Sequence, residues 1–250
     1  MEKKAVIIGG SSGIGKATAQ RFAREGWQVL IGAPASSLSP DLIKSIPGDG
    51  HLVVPLDVTN AGQLEQFEQE VASHFGSFQV LVNSAGISSD VPVIGSRFED
   101  WDRALQVMLY GAVQCVRRLV PLMEDGGRII HITSIHYQRV ARGSSAYGMA
   151  KAAITQLTRS LALELAPRGI LANAIAPGFV DTPMSVKADN RNELDSEWFS
   201  DNYLRYDHLP LKRAAHPEEI AGVAWFLAGP DASYITGSVI TVDGGLTITF

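Results

Sequence analysis

Short runs rich in valine and isoleucine alternate in this chain with longer segments whose apolar residues recur at helical spacing. Continuous apolar runs of this kind are typical of strands that are buried on both faces, as in a parallel sheet. The candidate strands are at 5–8, 28–31, 51–58, 78–83, 127–134, 170–178 and 239–245. Their alternation with helices predicts an α/β fold, a Rossmann-like doubly wound parallel sheet with helices on both faces.

The chain contains no internal repeat, linker or low-complexity tract, so we predict one dinucleotide-binding and catalytic domain over 1–250. Only the segment 183–210 departs from the pattern, because it is polar, carries four aromatic residues and is too long for an ordinary connection. It is either a mobile surface insertion or a lid over a substrate pocket. We favour the lid, since a late insertion in such a fold can reach the carboxyl ends of the strands.

Composition argues against several classes of protein. The net charge is −5, and no lysine or arginine block indicates a nucleic-acid partner. Cys115 is the only cysteine, which precludes an intrachain disulfide and fits a reducing compartment. The N-terminal apolar run is too short for a signal peptide, no segment is long enough to span a membrane, and the histidines lack metal-ligand spacing. We therefore expect a soluble cytoplasmic protein with no membrane partner and no metal.

A glycine-rich loop follows the first predicted strand. Gly9, Gly13 and Gly15 have the spacing G-x-x-x-G-x-G between that strand and a predicted helix that begins near Ile14. Glycine allows positive φ and lets backbone amides approach a pyrophosphate, and a helix N-terminus favours an anion. In an alternating α/β chain this arrangement predicts dinucleotide binding.

Three polar residues could form a proton-transfer group. Tyr147 and Lys151 lie four residues apart in a predicted helix and so share one face, although a lone pair of this kind is usually a surface feature. Ser134 ends an apolar strand and should face the same crevice as the glycine loop. A tyrosine has a pKa of about 10, and a nearby ammonium should lower that pKa. A serine hydroxyl can bond a substrate oxygen, while a nicotinamide supplies hydride chemistry.

Taken in order, the motifs of this chain resemble those of the short-chain dehydrogenase/reductase family in its compact form. Besides the loop "GGSSGIG" at 9–15, they are "LDV" at 56–58, "NSAG" at 83–86, "PGFVDT" at 177–182 and "VDGG" at 242–245. The resemblance covers essentially the whole chain. Several motifs in the correct order are far more specific than any one of them.

The resemblance implies catalytic roles for Ser134, Tyr147 and Lys151, and a homo-oligomer, either a dimer or a tetramer. It also implies that Lys151 binds the nicotinamide ribose, that Asp57 lies beside the adenine, and that Thr182 helps to hold the carboxamide. The implied cofactor-binding residues are Gly9, Ser11, Ser12, Gly13, Ile14, Gly15, Ala33, Asp57, Val58, Asn83, Ala85, Gly86, Tyr147, Lys151, Pro177, Gly178, Val180 and Thr182.

Three positions depart from the family pattern. Ile8 replaces a common threonine and Ser84 a common asparagine, both mild changes. Met108 stands where the family places an asparagine that is thought to hold a water in the proton relay, and methionine cannot donate a hydrogen bond. This leaves an alternative function, a dinucleotide-binding sensor or scaffold with weak or no catalysis. The extended branch of the superfamily, with epimerases and dehydratases, fits the short chain less well.

The sequence carries no clear signal for a preference between NAD and NADP. Ala33 occupies the place of the acidic residue of NAD-type members, and Ser11 and Ser12 stand where NADP-type members often carry a cation. A phosphate dianion without a cation is harder to bind than a neutral diol without an acid. We therefore favour NAD slightly, although Ser36 and Ser37 could bond a phosphate and keep NADP open.

The substrate is encoded still more weakly. His136 would point the same way as Ser134 if that segment stays extended, so the candidate substrate residues are Ser134, His136 and Tyr147. Similar Ser-x-His segments occur in family members that act on sugars or hydroxy acids. We therefore predict an NAD(P)-dependent oxidoreductase that interconverts a secondary alcohol and a ketone on a polyol, sugar or hydroxy acid. Further polar candidates are Ser88, Asp90, Gln138, Arg139 and Arg142.

Overall fold

Seven parallel strands form one sheet in the computed structural model, which describes residues 3–88, 91–186 and 189–249. The strands are β1 Lys4–Ile8, β2 Gln28–Ala33, β3 Leu52–Pro55, β4 Phe78–Asn83, β5 Met123–Ile132, β6 Leu171–Pro177 and β7 Val239–Val242. Their order is β3-β2-β1-β4-β5-β6-β7, so the direction of winding reverses between β1 and β4. This is the doubly wound α/β fold that the sequence predicted, with its crevice expected at the reversal.

Helices cover both faces of the sheet. They are α1 Gly13–Arg24, α2 Pro40–Lys44, α3 Ala61–Phe75, α4 Phe98–Leu105, α5 Gly111–Leu119, α6 Ser145–Glu164, α7 Glu197–Phe199 and α8 Pro217–Ala228. One core contains apolar residues of α3, α5 and α6, and the other contains those of α1 and α8. None of the helices in the described ranges is long and apolar enough to cross a bilayer.

The alternation along β1 explains why its sequence is apolar without interruption. Val6 and Ile8 pack into the core beneath α3 and α5, while Ala5 and Ile7 pack into the core beneath α1 and α8. All four are fully buried. Since neighbouring side chains point to opposite faces, a strand covered on both sides needs an apolar residue at every position.

The segment between β4 and β5 is less regular than the sequence predicted. The helical spacing of apolar residues over 101–123 predicts a single helix, but a π-turn at Gln106–Tyr110 separates α4 from α5, and β5 already begins at Met123. A Cβ at Gly111 would lie 2.5 Å from Val58 Cγ2, so glycine lets the helix pack directly on Val58, three residues after β3. π-turns within helices are frequent at functional sites, and this one contains Met108.

The described residues of the predicted lid, 183–186 and 189–210, form short 3₁₀ and π turns and the one-turn helix α7. Residues 187 and 188 lie outside the described ranges. The segment is packed against the body of the protein, because the ring of Phe179, just after β6, contacts Phe199 and Tyr203 at centroid distances of 4.9 and 4.7 Å. The segment therefore borders the space next to the carboxyl end of β6.

Candidate active site

A cleft of about 1630 Å³ runs along the carboxyl edge of the sheet. The glycine loop after β1, the ends of β2, β5 and β6, and the start of α6 all border it. This is where the doubly wound fold places its ligands, because the winding reverses there. The fold thus brings the glycine loop and the predicted proton-transfer group to one cavity.

The glycine loop is shaped for close backbone approach. Gly9 has a φ of +79°, and a Cβ there would lie 2.7 Å from the Ala85 backbone nitrogen. Gly15 packs on the carbonyl of Gly9, again with no room for a side chain. Ser12 precedes α1 without capping it by its side chain, so the first-turn amides are left to pair with an anion. These features fit a dinucleotide pyrophosphate.

Asp57, which the sequence predicted beside the adenine, also lines the cleft. Its Oδ1 accepts hydrogen bonds from the backbone nitrogen and the hydroxyl of Thr59 at 2.9 and 2.7 Å. These bonds lower the pKa of Asp57, so it is a carboxylate at neutral pH. Nearby, the Ser11 hydroxyl donates to Ser37 Oγ at 3.0 Å, and Ser37 donates to the Pro34 carbonyl at 2.8 Å.

Ser134, Tyr147 and Lys151 meet in this cleft. Lys151 Nζ lies 5.5 Å from the centroid of the Tyr147 ring and donates a 2.9 Å hydrogen bond to the Ile132 carbonyl at the end of β5. The Ser134 hydroxyl is within hydrogen-bonding reach of the Tyr147 hydroxyl. A substrate oxygen placed at these two hydroxyls would face both a proton donor and a second hydrogen-bond donor.

Burial dominates the titration of this group. It lowers the pKa of Lys151 to about 8 and raises the pKa of Tyr147 above its ordinary value, although the Ser134 hydrogen bond opposes that rise. The net shift of the tyrosine pKa is therefore opposite to the one that the sequence predicted, because burial outweighs the groups that favour the phenolate. Loss of hydration disfavours the phenolate here more than the neighbouring groups favour it.

His136 lines the cleft, but its backbone conformation differs from the extended one that was predicted. The strand ends at Ile132, and residues 135–137 form a 3₁₀ turn, so the segment is not extended. The His136 backbone nitrogen donates to Ser134 Oγ at 3.2 Å, and its ring meets the Tyr147 ring edge-on at 5.6 Å. Burial lowers the pKa of His136, so the ring is neutral at pH 7.

Most of the predicted cofactor residues lie on the wall of the cleft. Besides Tyr147 and Lys151 they are Gly9, Ser11, Ser12, Gly13, Ile14, Ala33, Asp57, Val58, Ala85, Gly86, Pro177, Gly178, Val180 and Thr182. Two predicted residues, Gly15 and Asn83, lie behind the wall. Gly15 supports the loop, and Asn83 Oδ1 accepts from the Ala85 backbone nitrogen at 3.2 Å and holds the turn after β4.

Of the further polar candidates for substrate binding, some line the cleft and others do not. Ser88 and Arg142 line the cleft, whereas Gln138 and Arg139 do not, and Asp90 lies outside the described residues. Sequence reasoning missed Phe179, which lines the cleft between two predicted cofactor residues. It also treated two aromatic residues of the lid segment, Trp198 and Tyr203, as lid residues without assigning them to the site. An aromatic residue directly after the "PG" at the end of a strand was the available signal.

The profile of a family described as "Enoyl-(Acyl carrier protein) reductase" matches residues 9–247. The structure of a short-chain dehydrogenase/reductase from Serratia marcescens is 36% identical to the chain, with a TM-score of 0.88, and 98% of each chain is covered. This chain belongs to the short-chain dehydrogenase/reductase family. As a member of this family it is an oxidoreductase that acts on CH–OH or C=O groups.

Other family members differ in the substrates that their names state. The 3-oxoacyl-[acyl-carrier-protein] reductase FabG of Thermotoga maritima is 36% identical over 250 residues, which cover 98% of each chain. The ligand-free aldohexose dehydrogenase of Thermoplasma acidophilum is 31% identical with a TM-score of 0.86, covering 100% of this chain and 95% of that one. Family membership therefore fixes the class of reaction and leaves the substrate open.

Met108 is both a core residue and a neighbour of the catalytic group. It is fully buried with apolar residues of α4, α5 and α6. A Cβ placed at Gly86 would lie 3.9 Å from Met108 Sδ and 3.7 Å from Lys151 Nζ, so both flank the same glycine. A thioether therefore occupies space near the ammonium where a family asparagine would offer hydrogen bonds.

We expect Met108→Asn to raise turnover or to shift the pH optimum, with cofactor affinity near that of the wild type, because an amide there could order a water beside Lys151. The same change should lower the free energy of unfolding by roughly 1–3 kcal/mol, since it buries a polar group. A pH–rate profile and a thermal melt measure both effects, and Met108→Leu is the matched apolar control. Reduced stability with an unchanged pH–rate profile would show that Met108 only packs.

His131, on β5, is a fully buried histidine. Its Nδ1 lies 2.8 Å from the Thr158 hydroxyl on α6, and burial together with the Lys151 charge lowers its pKa to about 4. It is therefore neutral at pH 7 and joins α6 to the sheet. The described residues contain no cluster of ligands that could hold a metal ion.

Proposed function

We propose that this protein interconverts a secondary alcohol and a ketone with a nicotinamide dinucleotide as cofactor. The observation that supports the proposal is the meeting of Ser134, Tyr147 and Lys151 in the cleft that the uncapped start of α1 borders. A hydride acceptor and a proton-transfer group must meet at one carbon–oxygen bond, and one cleft here offers a place for each.

Each of the three residues has one main task. In reduction the Tyr147 hydroxyl gives its proton to the carbonyl oxygen, and in oxidation the phenolate takes that proton back. Ser134 donates a hydrogen bond to the same oxygen and holds it in place. The Lys151 ammonium stabilises the phenolate and holds the ribose hydroxyls. When bound, a reduced nicotinamide supplies the hydride to the carbonyl carbon and is left oxidised, so that the product is an alcohol.

Other residues that line the cleft would bind the remaining parts of the dinucleotide. The amides from Ser12 to Ile14 bind the pyrophosphate, Asp57 and Val58 contact the adenine, and the segment from Val180 to Thr182 holds the carboxamide. These assignments agree with the family resemblance and with the cradle that a side chain at Gly9 or Gly15 would fill.

We retain a slight preference for NAD over NADP. Three cations line the cleft among the described residues, Arg103, Arg142 and Lys151, and none of them belongs to the glycine loop or to the turn after β2. The Ser37 hydroxyl already donates to Pro34, so a 2′-phosphate would have to compete for it. The Asp57 carboxylate would repel a phosphate, although the charge of Arg103 beside it offsets part of that repulsion.

Ala33→Asp should raise the ratio of kcat/KM for NAD to kcat/KM for NADP by roughly 10- to 100-fold. A carboxylate at the end of β2 can bond a ribose diol and repels a 2′-phosphate at close range. Ala35→Asp is the matched control, because it adds the same charge two residues further on, at an exposed position that does not line the cleft. A wild type that already rejects NADP by several orders of magnitude would contradict the proposed weak discrimination.

Several substrate classes have to be compared by experiment. The sequence predicted a polyol, a sugar or a hydroxy acid because His136 was expected beside Ser134 and Tyr147, and the Thermotoga relative is named for a 3-oxoacyl-[acyl-carrier-protein] substrate. The test is a titration with NAD and NADP, followed by a panel of these alcohols and ketones at several pH values. The panel separates a catalyst from the second candidate, a dinucleotide-binding sensor or scaffold, which Met108 favours. Turnover of any member eliminates the pure sensor.

Two further predictions accompany this function. We propose that 183–210 acts as a lid over the substrate, because its described residues supply part of the cleft wall. A cytoplasmic homo-oligomer, dimer or tetramer, also stays a prediction from the composition and the family resemblance.

A further inference from the structure

Three aromatic side chains form one surface inside the cleft, which we call the aromatic wall: Phe179, Trp198 and Tyr203. Tyr203 joins the other two, since its ring centroid lies 4.7 Å from that of Phe179 and 5.4 Å from that of Trp198. Trp198 remains 50% exposed, so much of its ring is free for contact. The proton-transfer group does not use these residues.

The aromatic wall is held in place from behind. Phe199 is buried and packs against Phe179 at 4.9 Å and against Tyr203 at 5.6 Å. The Ser196 hydroxyl accepts a hydrogen bond from the Phe199 backbone nitrogen at 3.1 Å and caps the short helix α7 that carries Trp198. A preassembled surface binds a ligand at a lower entropic cost than one that must first order its side chains.

The chemistry around the aromatic wall favours an apolar ligand. Met184 and Leu194 line the cleft beside it. Beside Tyr147, the ring of His136 is neutral, so it can share one hydrogen bond but presents no positive charge. The aromatic wall, Met184 and Leu194 include no cation, so this part of the cleft offers no ion pair to a carboxylate or a phosphate; Arg142 and Lys151 line the cleft but do not belong to it. Aromatic rings instead attract flat, apolar groups.

We propose that the substrate is an uncharged ketone, or the matching secondary alcohol, with an aryl or similarly flat apolar group that packs on the aromatic wall through Trp198. This inference rests on the proposed function, since it names the substrate of the same site. The carbonyl oxygen lies at Ser134 and Tyr147, and the flat group extends towards the lid. The reaction balances as in the proposed function: one hydride to carbon and one proton to oxygen.

The test compares two uncharged methyl ketones, 4-phenyl-2-butanone and 2-butanone, in wild type and Trp198→Ala. We expect wild type to prefer the phenyl compound. In Trp198→Ala, kcat/KM for the phenyl compound should fall about 10-fold or more, since an aromatic contact and its buried area are lost. The value for 2-butanone should stay within about threefold. Tyr206→Ala is the control, because Tyr206 is an exposed aromatic residue of the same segment that does not line the cleft.

A calorimetric titration of 4-phenyl-2-butanone into the NAD-loaded protein keeps this inference separate from the proposed function. Weaker binding to Trp198→Ala than to wild type supports the aromatic wall as the surface that binds the phenyl group. Absence of turnover with every ketone would overturn the proposed function, but not this binding result. Equal binding to both proteins overturns the inference. So does a preference of the wild type for a sugar, a hydroxy acid or a 3-oxoacyl thioester over the phenyl ketone, while the proposed function would then stand.

Discussion

Tyr147→Phe should lower turnover by roughly 10²–10⁴-fold, the range typical of a lost general acid or base, and leave cofactor affinity nearly unchanged. The substitution keeps the ring, so the edge-on contact with His136 at 5.6 Å is preserved. It removes only the hydroxyl that lies within hydrogen-bonding reach of Ser134. Steady-state kinetics with the best substrate of the panel, beside a cofactor titration, measure both quantities.

Tyr234→Phe is the matched control for this experiment. Tyr234 is fully exposed and does not line the cleft, so the same chemical change there should alter neither turnover nor cofactor affinity. A Tyr147→Phe variant that keeps most of its activity would show that another group transfers the proton. Equal losses of turnover in both variants would point to an effect outside the cleft.

Lys151→Met should impair both turnover and cofactor binding, because the ammonium serves the phenolate and the ribose at once. We expect turnover to fall by at least about 10²-fold, the usual effect of removing one donor that stabilises developing charge. Cofactor affinity should weaken by roughly 10- to 100-fold, as for a lost hydrogen bond to a charged group. Lys44→Met is the control, since Lys44 forms an exposed ion pair with Asp41 away from the cleft.

The same variant should be more stable than wild type at pH 7 when no cofactor is present. Burial lowers the pKa of Lys151 from 10.5 to about 8, so burying its ammonium opposes folding. Between pH 8 and pH 10.5 the unfolded chain binds more protons at Lys151 than the folded chain does. The contribution of this group to the free energy of unfolding of the wild type therefore rises with pH across this range. The advantage of Lys151→Met therefore shrinks from pH 7 towards pH 10.5, by an amount on the order of 3 kcal/mol for this shift in pKa.

Thermal or urea unfolding of both proteins at pH 7 and pH 9.5 measures this difference. A stability advantage that narrows at the higher pH, together with weakened cofactor binding, would identify Lys151 as a residue kept for function at the expense of stability. A Lys151→Met variant less stable than wild type at pH 7 would contradict it, because the hydrogen bond to the Ile132 carbonyl would then outweigh the burial of the charge.

The sequence alone predicted the fold because its signals are local. Val6 and Ile7 belong to a run that only a strand buried on both faces requires, and the glycines at 9 and 15 mark a turn whose backbone leaves no room for side chains. The spacing of Tyr147 and Lys151 placed both on one face of a helix. Each of these inferences uses neighbours within a few residues.

The tertiary structure decided the properties that depend on a residue's environment, such as its pKa and its local backbone conformation. The pKa of Tyr147 is raised, not lowered, because burial outweighs the hydrogen bond from Ser134. The π-turn around Met108 and the 3₁₀ turn that carries His136 interrupt patterns that read as regular helix and strand. Desolvation and packing are sums over many distant residues, so no local pattern records them.

The same distinction applies to the cleft as a whole. The sequence predicted a ligand cleft at the carboxyl edge of a doubly wound sheet, and it identified the serine, the tyrosine and the lysine that line it. Only the folded chain shows that Phe179, at the end of β6, meets Tyr203 of a segment far along the sequence. Contacts between residues so distant in the chain form because the sheet brings strand ends and loops to one edge, and that arrangement belongs to the tertiary structure alone.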